Sequence, residues 1–402
     1  MTGHLLTNKQ GKSTPMRLFV TTKNISSISR FLTSFSGLDF NSLLKKIPDE
    51  VRGFSNYLED EISEMTNLGI QKRMISEIAV TKTIAALSLW MGYSNSIRKP
   101  DGGNNINLNP KKSMRRKENI KDHFSTTVVI PLRMSQNVES IKNLLRLLSI
   151  VSTLDEIKSI LLIGIVKSNP LKNLSGIKKV RAIIPTLDLG PAHARNIGIE
   201  EALEEGSKAI LFLDDDVVLD NVKGLASILK RSVDERCIIS PIVKSKGKTL
   251  FDFYHDFDGT LNGVYLSTER NELLYATTCC LIVPTEIFSH GVRFDTSFES
   301  AAGEDIDFCY NCRTLGYKII PADDVTVGHN YGYLQAPESI IKFVNRYIRY
   351  GSGNRLVLSK HPNYYEDVSK SIPRRTSSIR SEGSYTPRNI LRLAMAMEMM
   401  LK

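Results

Sequence analysis

The chain has 402 residues, 41% of them hydrophobic and 24% charged, with 25 Gly and 15 Pro, which excludes collagen, a coiled-coil rod and a wholly disordered polymer. No run of 18 apolar residues occurs and residues 1–10 are polar, so neither a spanning helix nor a secretory signal is expected. The net charge of +10 sits in the flanks, about +8 over residues 1–120 and about +4 over 360–402, which argues against a nucleic-acid-binding face.

Five cysteines, an odd number without scaffold spacing, suit a reducing, cytoplasmic compartment. Residues 1–37 are rich in Ser, Thr and Asn and are expected to be loosely ordered. Residues 38–95 read as a helical module, with Leu43, Leu44, Ile47 and Val51 at helical steps and Gly92 as a stop. Residues 96–123 read as a linker whose run Lys111, Lys112, Arg115, Arg116 and Lys117 is either a solvated segment or a contact for acidic lipid headgroups.

From residue 124 the pattern alternates. Thr126–Ile130, Ile160–Val166, Val180–Ile184 and Ala209–Leu213 read as strands, and Val138–Val151 and Pro191–Glu205 as helices. Continuously apolar strands separated by helices predict an α/β domain over 124–358 around a mainly parallel sheet, with ligands at the carboxyl ends of the strands. Residues 359–402 read as a basic tail in which Arg388 to Lys402 forms a surface-seeking helix, an oligomer contact or a packed tail.

Three groups of residues carry candidate chemistry. Asp214-Asp215-Asp216 directly follow an apolar strand, and adjacent carboxylates at a strand end are tolerated mainly when a cation neutralises them. Oxygen ligands with spare positions suit Mg²⁺ or Mn²⁺ shared with a diphosphate, while the bland alternative is an acidic loop capping the next helix. Gly303-Glu304-Asp305-Ile306-Asp307 opens a helix, where carboxylates serve either as N-caps or as a general base. His329 ends a short strand and is either structural or a metal ligand. Cys309-Tyr310-Asn311-Cys312 is a C-x-x-C, but a four-cysteine zinc site needs a second spaced pair and the vicinal Cys279-Cys280 is poor geometry for tetrahedral binding, so buried free thiols are expected.

In chain order these segments are the strand ending in Pro131, Gly190-Pro191-Ala192-His193-Ala194-Arg195-Asn196-Ile197-Gly198, Leu213 to Asp216, Glu304 to Asp307, Leu315-Gly316-Tyr317-Lys318 and His329. This order resembles the GT-A nucleotide-sugar glycosyltransferases of the family 2-like group, over residues 125–355. The resemblance implies a GT-A fold and a metal-dependent transfer of sugar from a nucleotide-diphospho-sugar to a hydroxyl acceptor, with inversion in the family's manner. It implies Asp305 as base with Glu304 beside it, and a donor site including Pro131, Gly190, Pro191, Arg195, Asp214, Asp215 and Asp216. It also implies a metal held by Asp214, Asp216 and His329. Arg195 is open to two roles, donor contact or structural partner of the aspartates. Arg346, Arg349 and Tyr347 to Asn354 stand where relatives carry a mobile loop over the diphosphate. Two positions depart from the pattern: Pro131-Leu132-Arg133-Met134 lacks the usual Asn or Glu, and Val166-Lys167-Ser168-Asn169 lacks the Asp that reads uridine, so the donor base stays open. The alternatives are a nucleotidyltransferase, which would need a basic Gly-rich loop after the first strand, and a non-catalytic carbohydrate- or membrane-associated scaffold.

Overall fold

The computed structural model describes residues 124–374 except 133–137, 165–176, 188–189, 221, 267–268, 299–300 and 335–337, together with Thr81, Lys82, Ile84, Ala85, Ala86, Ser88, Leu89 and Gly92. The expected 1–37 segment, most of the helical module, the basic run at 111–117 and the helix at 388–402 lie outside the described residues. The chain divides into two units, 1–84 with 400–402, and 85–399. In the first, the described residues Thr81, Lys82 and Ile84 are helical. The other described residues belong to the second unit.

Its elements run β1 (Thr126–Pro131), α1 (Val138–Val151), β2 (Ile157–Ile163), β3 (Val180–Ile183), α2 (Pro191–Glu204), β4 (Ala209–Leu213), β5 (Val217–Val218), α3 (Val222–Asp234), β6 (Ile238–Ser245), α4 (Leu250–Asp258), β7 (Val264–Tyr265), β8 (Leu273–Tyr275), β9 (Cys280–Pro284), α5 (Glu286–Ser289), α6 (Glu304–Thr314), β10 (Ile319–His329), α7 (Glu338–Lys360), α8 (Tyr364–Ser369) and β11 (Ile372–Pro373). The main sheet has eight strands in the order β3-β2-β1-β4-β9-β6-β10-β5. The block β3-β2-β1-β4 and the pair β6-β10 are parallel, and β9 runs antiparallel between them. The expected α/β fold with a mainly parallel central sheet is therefore present. The intervening antiparallel strand was not foreseen, because an apolar run carries no direction.

Alternation along each strand sorts the core into two layers. Val128, Ile130, Ile160, Leu162, Leu211 and Leu213 face one side, where α1 presents Leu144, Leu147 and Leu148 and α3 presents Leu225, Ile228 and Leu229. Val129, Leu161, Ile163, Ile210 and Phe212 face the other, against Ala192, Ala194, Ile199 and Ala202 of α2 and Phe308, Cys309 and Cys312 of α6. The small residues of α2 have a steric reason. A Cβ on Gly198 would stand 2.4 Å from Val129 Cγ1, so only glycine lets this helix reach β1.

Two expectations are corrected. Tyr347 to Asn354, read as a mobile loop, forms the interior of the 23-residue helix α7. Gly353 serves close approach there: a Cβ on it would lie 2.0 Å from the Ala302 carbonyl oxygen. The tail expected from residue 359 is also ordered at its start. α8 and β11 continue the fold, β11 pairs antiparallel with β7 in a second sheet of order β11-β7-β8, and Arg374 is fully buried. Arg374 donates to Asp323 at 2.9 Å and to the Ser240 carbonyl at 2.8 Å, tethering the chain to β6 and β10. Among the described residues, no helix is long and apolar enough to cross a membrane.

Candidate active site

The site begins where strands end. β4 and β9 pair with Leu213 opposite Cys280, so Asp214 leaves the sheet across from Cys279, and the Asp214 amide donates to the Cys279 carbonyl at 3.1 Å. β10 pairs with β5 through His329 opposite Val217, which brings His329 to the aspartate turn. His329 Nε2 lies 3.0 Å from Asp216 Oδ1. Burial alone would raise the Asp216 carboxyl, but His329, assisted by Arg346, holds it below its ordinary value. His329 Nδ1 is buried with no hydrogen-bond partner among the described residues.

The second component is the start of α6. Its N-cap is Gly303 at φ 90°, a left-handed conformation that favours glycine. Gly303 also packs against the Gly353 backbone, so α7 sets where α6 begins. Glu304 follows, buried, with Oε1 accepting from Arg195 Nη1 at 2.8 Å and Oε2 unpartnered among the described residues. Arg195, on α2, also reaches Asp214 at 3.2 Å. Burial opposes the guanidinium charge, but Glu304 and Asp214 raise its pKa above the ordinary value. Asp305 comes next. Burial first, then the neighbouring Glu304, push its carboxyl up to about 7 against the pull of Arg195. Asp307 is structural: it is fully buried and accepts from Lys360 and His361, each at 2.7 Å, locking α6 to the end of α7.

Asp214, Glu304, Asp305, Arg195 and His329 line one cleft. Its further walls include Asp258, Thr260, Tyr275, Thr277, Thr278, Cys279, Arg346, Tyr350, Asn354 and Leu89. The Arg346 guanidinium lies over Tyr331 with its Cζ 4.9 Å from the ring centroid. Under it, His255 is stacked on Tyr331 at 4.2 Å and contacts Tyr333 Oη at 3.0 Å and Thr260 Oγ1 at 3.2 Å. Burial, with Arg346 and His329 adding to it, drives His255 well below its ordinary pKa, so a neutral imidazole braces this wall.

A divalent cation fits these residues. A carboxylate oxygen of Asp214, Cys279 Sγ and a ring nitrogen of His329 lie within 4.8 Å of one another. The unpartnered Nδ1 of His329, with Asp216 facing the other ring nitrogen, matches the second-shell arrangement of metal-bound histidines.

The sequence-predicted residues divide accordingly. Asp214, Glu304, Asp305, Arg195 and His329 come together, and Asp216 joins them through His329. Asp215 is not among the cleft-lining residues. Pro131 ends β1, Gly190 takes φ 87° before α2 and Pro191 starts that helix; none of the three lines the cleft. Asn196, beside Arg195 on α2, makes two hydrogen bonds to the Phe294 backbone, at 2.8 and 2.9 Å. Arg133 and residues 166–169 lie outside the described residues. Cys279, Asp258, Tyr275 and Leu89 were missed as cleft residues, and the β4–β9 register that places Cys279 has no signature in the local sequence. All five cysteines are buried and free, as expected.

No protein-family model matches the chain, and no curated protein does. Among solved structures it is similar to GalNAc-T7 with UDP, GalNAc and Mn²⁺ (16% identity, TM-score 0.42, covering 62% of this chain and 55% of that one). It is also similar to TarS of S. aureus (14%, TM-score 0.41, 61% and 42%). A third is the mannosyltransferase PcManGT of Pyrobaculum calidifontis with GDP-Man and Mn²⁺ (14%, TM-score 0.38, 82% and 90%). The chain thus spans about half the length of the first two. At these identities and scores the likeness is distant.

Proposed function

We propose that the chain is a GT-A-type glycosyltransferase that moves a sugar from a nucleotide-diphospho-sugar to a hydroxyl acceptor, with inversion and with a divalent cation, Mn²⁺ or Mg²⁺. One observation carries this reading: Asp305 and Glu304 at a helix start share a cleft with Asp214 and His329 at strand ends. Asp214 and His329 hold the cation, and Asp216 orients His329. When bound, the cation neutralises charge on the leaving diphosphate.

The protein's own groups do the remaining work. Asp305, with its carboxyl raised to about 7, is poised to take the proton of an acceptor hydroxyl near neutral pH. The unpartnered Oε2 of Glu304 accepts from a sugar or acceptor hydroxyl. Arg195 keeps Glu304 and Asp214 in register and serves the donor only indirectly. Arg346, a permanent cation on the cleft wall, faces the diphosphate. Pro131, Gly190 and Pro191 stand outside the residues that line the cleft and take a donor-side role from the resemblance alone. The acceptor is a glycan, a lipid-linked molecule or a small molecule, and the basic flanks favour a cytoplasmic enzyme with peripheral membrane contact.

The test is transfer assayed with purified chain, Mn²⁺ and a panel of nucleotide-sugars. Asp305→Asn should bind the donor yet lose turnover. Wild-type turnover in that variant would remove Asp305 as the base.

A further inference from the structure

Cys279 lines the cleft but has no part in the chemistry above. Cys279 immediately precedes β9, and the antiparallel register with β4 sets it opposite Asp214. Its Sγ, a carboxylate oxygen of Asp214 and a ring nitrogen of His329 are mutually within 4.8 Å. Metal bonds of about 2.0–2.3 Å at tetrahedral angles hold their donors about 3.3–3.8 Å apart, so the three groups share one ion after side-chain shifts of up to about 1 Å. A second observation points to a ligand at the same place. His329 is only 4% exposed, and its Nδ1 has no hydrogen-bond partner among the described residues. Of the five cysteines, Cys279 alone lines the described cleft; Cys237, Cys280, Cys309 and Cys312 are buried elsewhere.

We propose that Cys279 is itself a ligand of the cleft cation, so that the centre is a carboxylate–imidazole–thiolate set selective for thiophilic divalent ions. This rests on the cation-dependent reading of the site. Magnesium favours oxygen ligands and retains its waters, whereas a sulfur donor shifts preference toward Zn²⁺ and Co²⁺. Sγ forms one bond to the ion, and the thiol proton leaves to solvent. The full chain should therefore hold Zn²⁺ or Co²⁺ about tenfold or more tightly than Mg²⁺.

The experiment is a Co²⁺ titration of the metal-free full-length chain, followed by visible and near-ultraviolet absorption. Wild type should show visible ligand-field bands together with a thiolate-to-cobalt charge-transfer band. Cys279→Ser and Cys279→Ala should lose the charge-transfer band and keep weaker visible bands, while Cys280→Ser keeps both. Circular dichroism of each variant separates loss of a ligand from loss of fold. Zinc-edge X-ray absorption of the wild type needs no variant and should show one sulfur neighbour at about 2.3 Å. Visible bands without charge transfer, a charge-transfer band that survives in both Cys279 variants, or a zinc shell of nitrogen and oxygen alone would overturn thiolate ligation while leaving the cation site standing. Absence of any bound cobalt or zinc would overturn the cation site, and Cys279's role with it.

Discussion

Arg195 Nη1 lies 2.8 Å from Glu304 Oε1, joining α2 to the first residue of α6 across 109 positions of sequence. Both side chains are almost wholly buried, and the other guanidinium nitrogen reaches Asp214. This one side chain couples the aspartate turn to the candidate base. Removing one partner of a buried pair leaves an uncompensated charge, at a cost of about 3–5 kcal/mol. Arg195→Met should therefore lower the urea midpoint sharply. The double variant Arg195→Met/Glu304→Met should recover much of the loss while remaining inactive.

Asp305 gives a pH dependence whose sign is set by its raised carboxyl. The unfolded group titrates near 3.8 and the folded one near 7, so the folded state holds more protons between these values. The stability contributed by this group is present in full below pH 3.8 and is lost as pH rises through 7. Activity runs oppositely, because a base works ionised, and kcat/KM should climb through an acid limb near pH 7. Asp305→Asn should be inactive yet more stable than wild type at pH 8, with the difference fading toward pH 4 in urea melts. Equal stability of the two proteins at both pH values would remove the burial argument.

Glycines in the helices predict a different kind of defect. A Cβ on Gly353 would meet the Ala302 carbonyl at 2.0 Å, and one on Gly92 would meet the Ile348 carbonyl at 1.7 Å. Ser352 Oγ donates to the Gly92 carbonyl at 2.9 Å, so residue 92 is seated against α7. Gly353→Ala should cost roughly 1–3 kcal/mol by overpacking. Because the strained contact lies two residues before Glu304, kcat should fall further than the melting temperature suggests. Ser352→Ala, which removes only a hydrogen bond, should cost about 1 kcal/mol and leave kcat near wild type.

Leu89 is fully buried and lines the cleft from a helical segment that precedes the α/β elements in sequence and belongs to the same unit. Leu89→Ala should destabilise by about 2–5 kcal/mol. Leu89→Met, which keeps the volume, should retain the fold and alter KM for one of the two substrates in steady-state assays. Unchanged KM values for both would mean that Leu89 only packs.

How much of this was legible depended on the range of the signal. Strands such as Ala209–Leu213 announce themselves because burial on both faces demands an unbroken apolar run, and the carboxylates after them mark the edge where ligands bind. Cys279 was not legible, because its neighbour Asp214 is set by the pairing of β4 with β9, a contact between segments 65 residues apart. The stretch Tyr347 to Asn354, expected as a mobile loop, is helical, since its glycines signal flexibility and close approach with the same letter. Arg374 hid inside a basic, Ser-rich stretch; only the buried Ser240 carbonyl and Asp323 explain why one of those arginines is held.

The most direct measurement is nucleoside diphosphate release from a panel of UDP- and GDP-sugars, by wild type and Asp305→Asn, with and without Mn²⁺. The account predicts release from donors of one base, dependent on the cation, and abolished in a variant that still binds that donor by calorimetry. No binding or release from any donor by a folded wild-type chain, or equal release by Asp305→Asn, would contradict it.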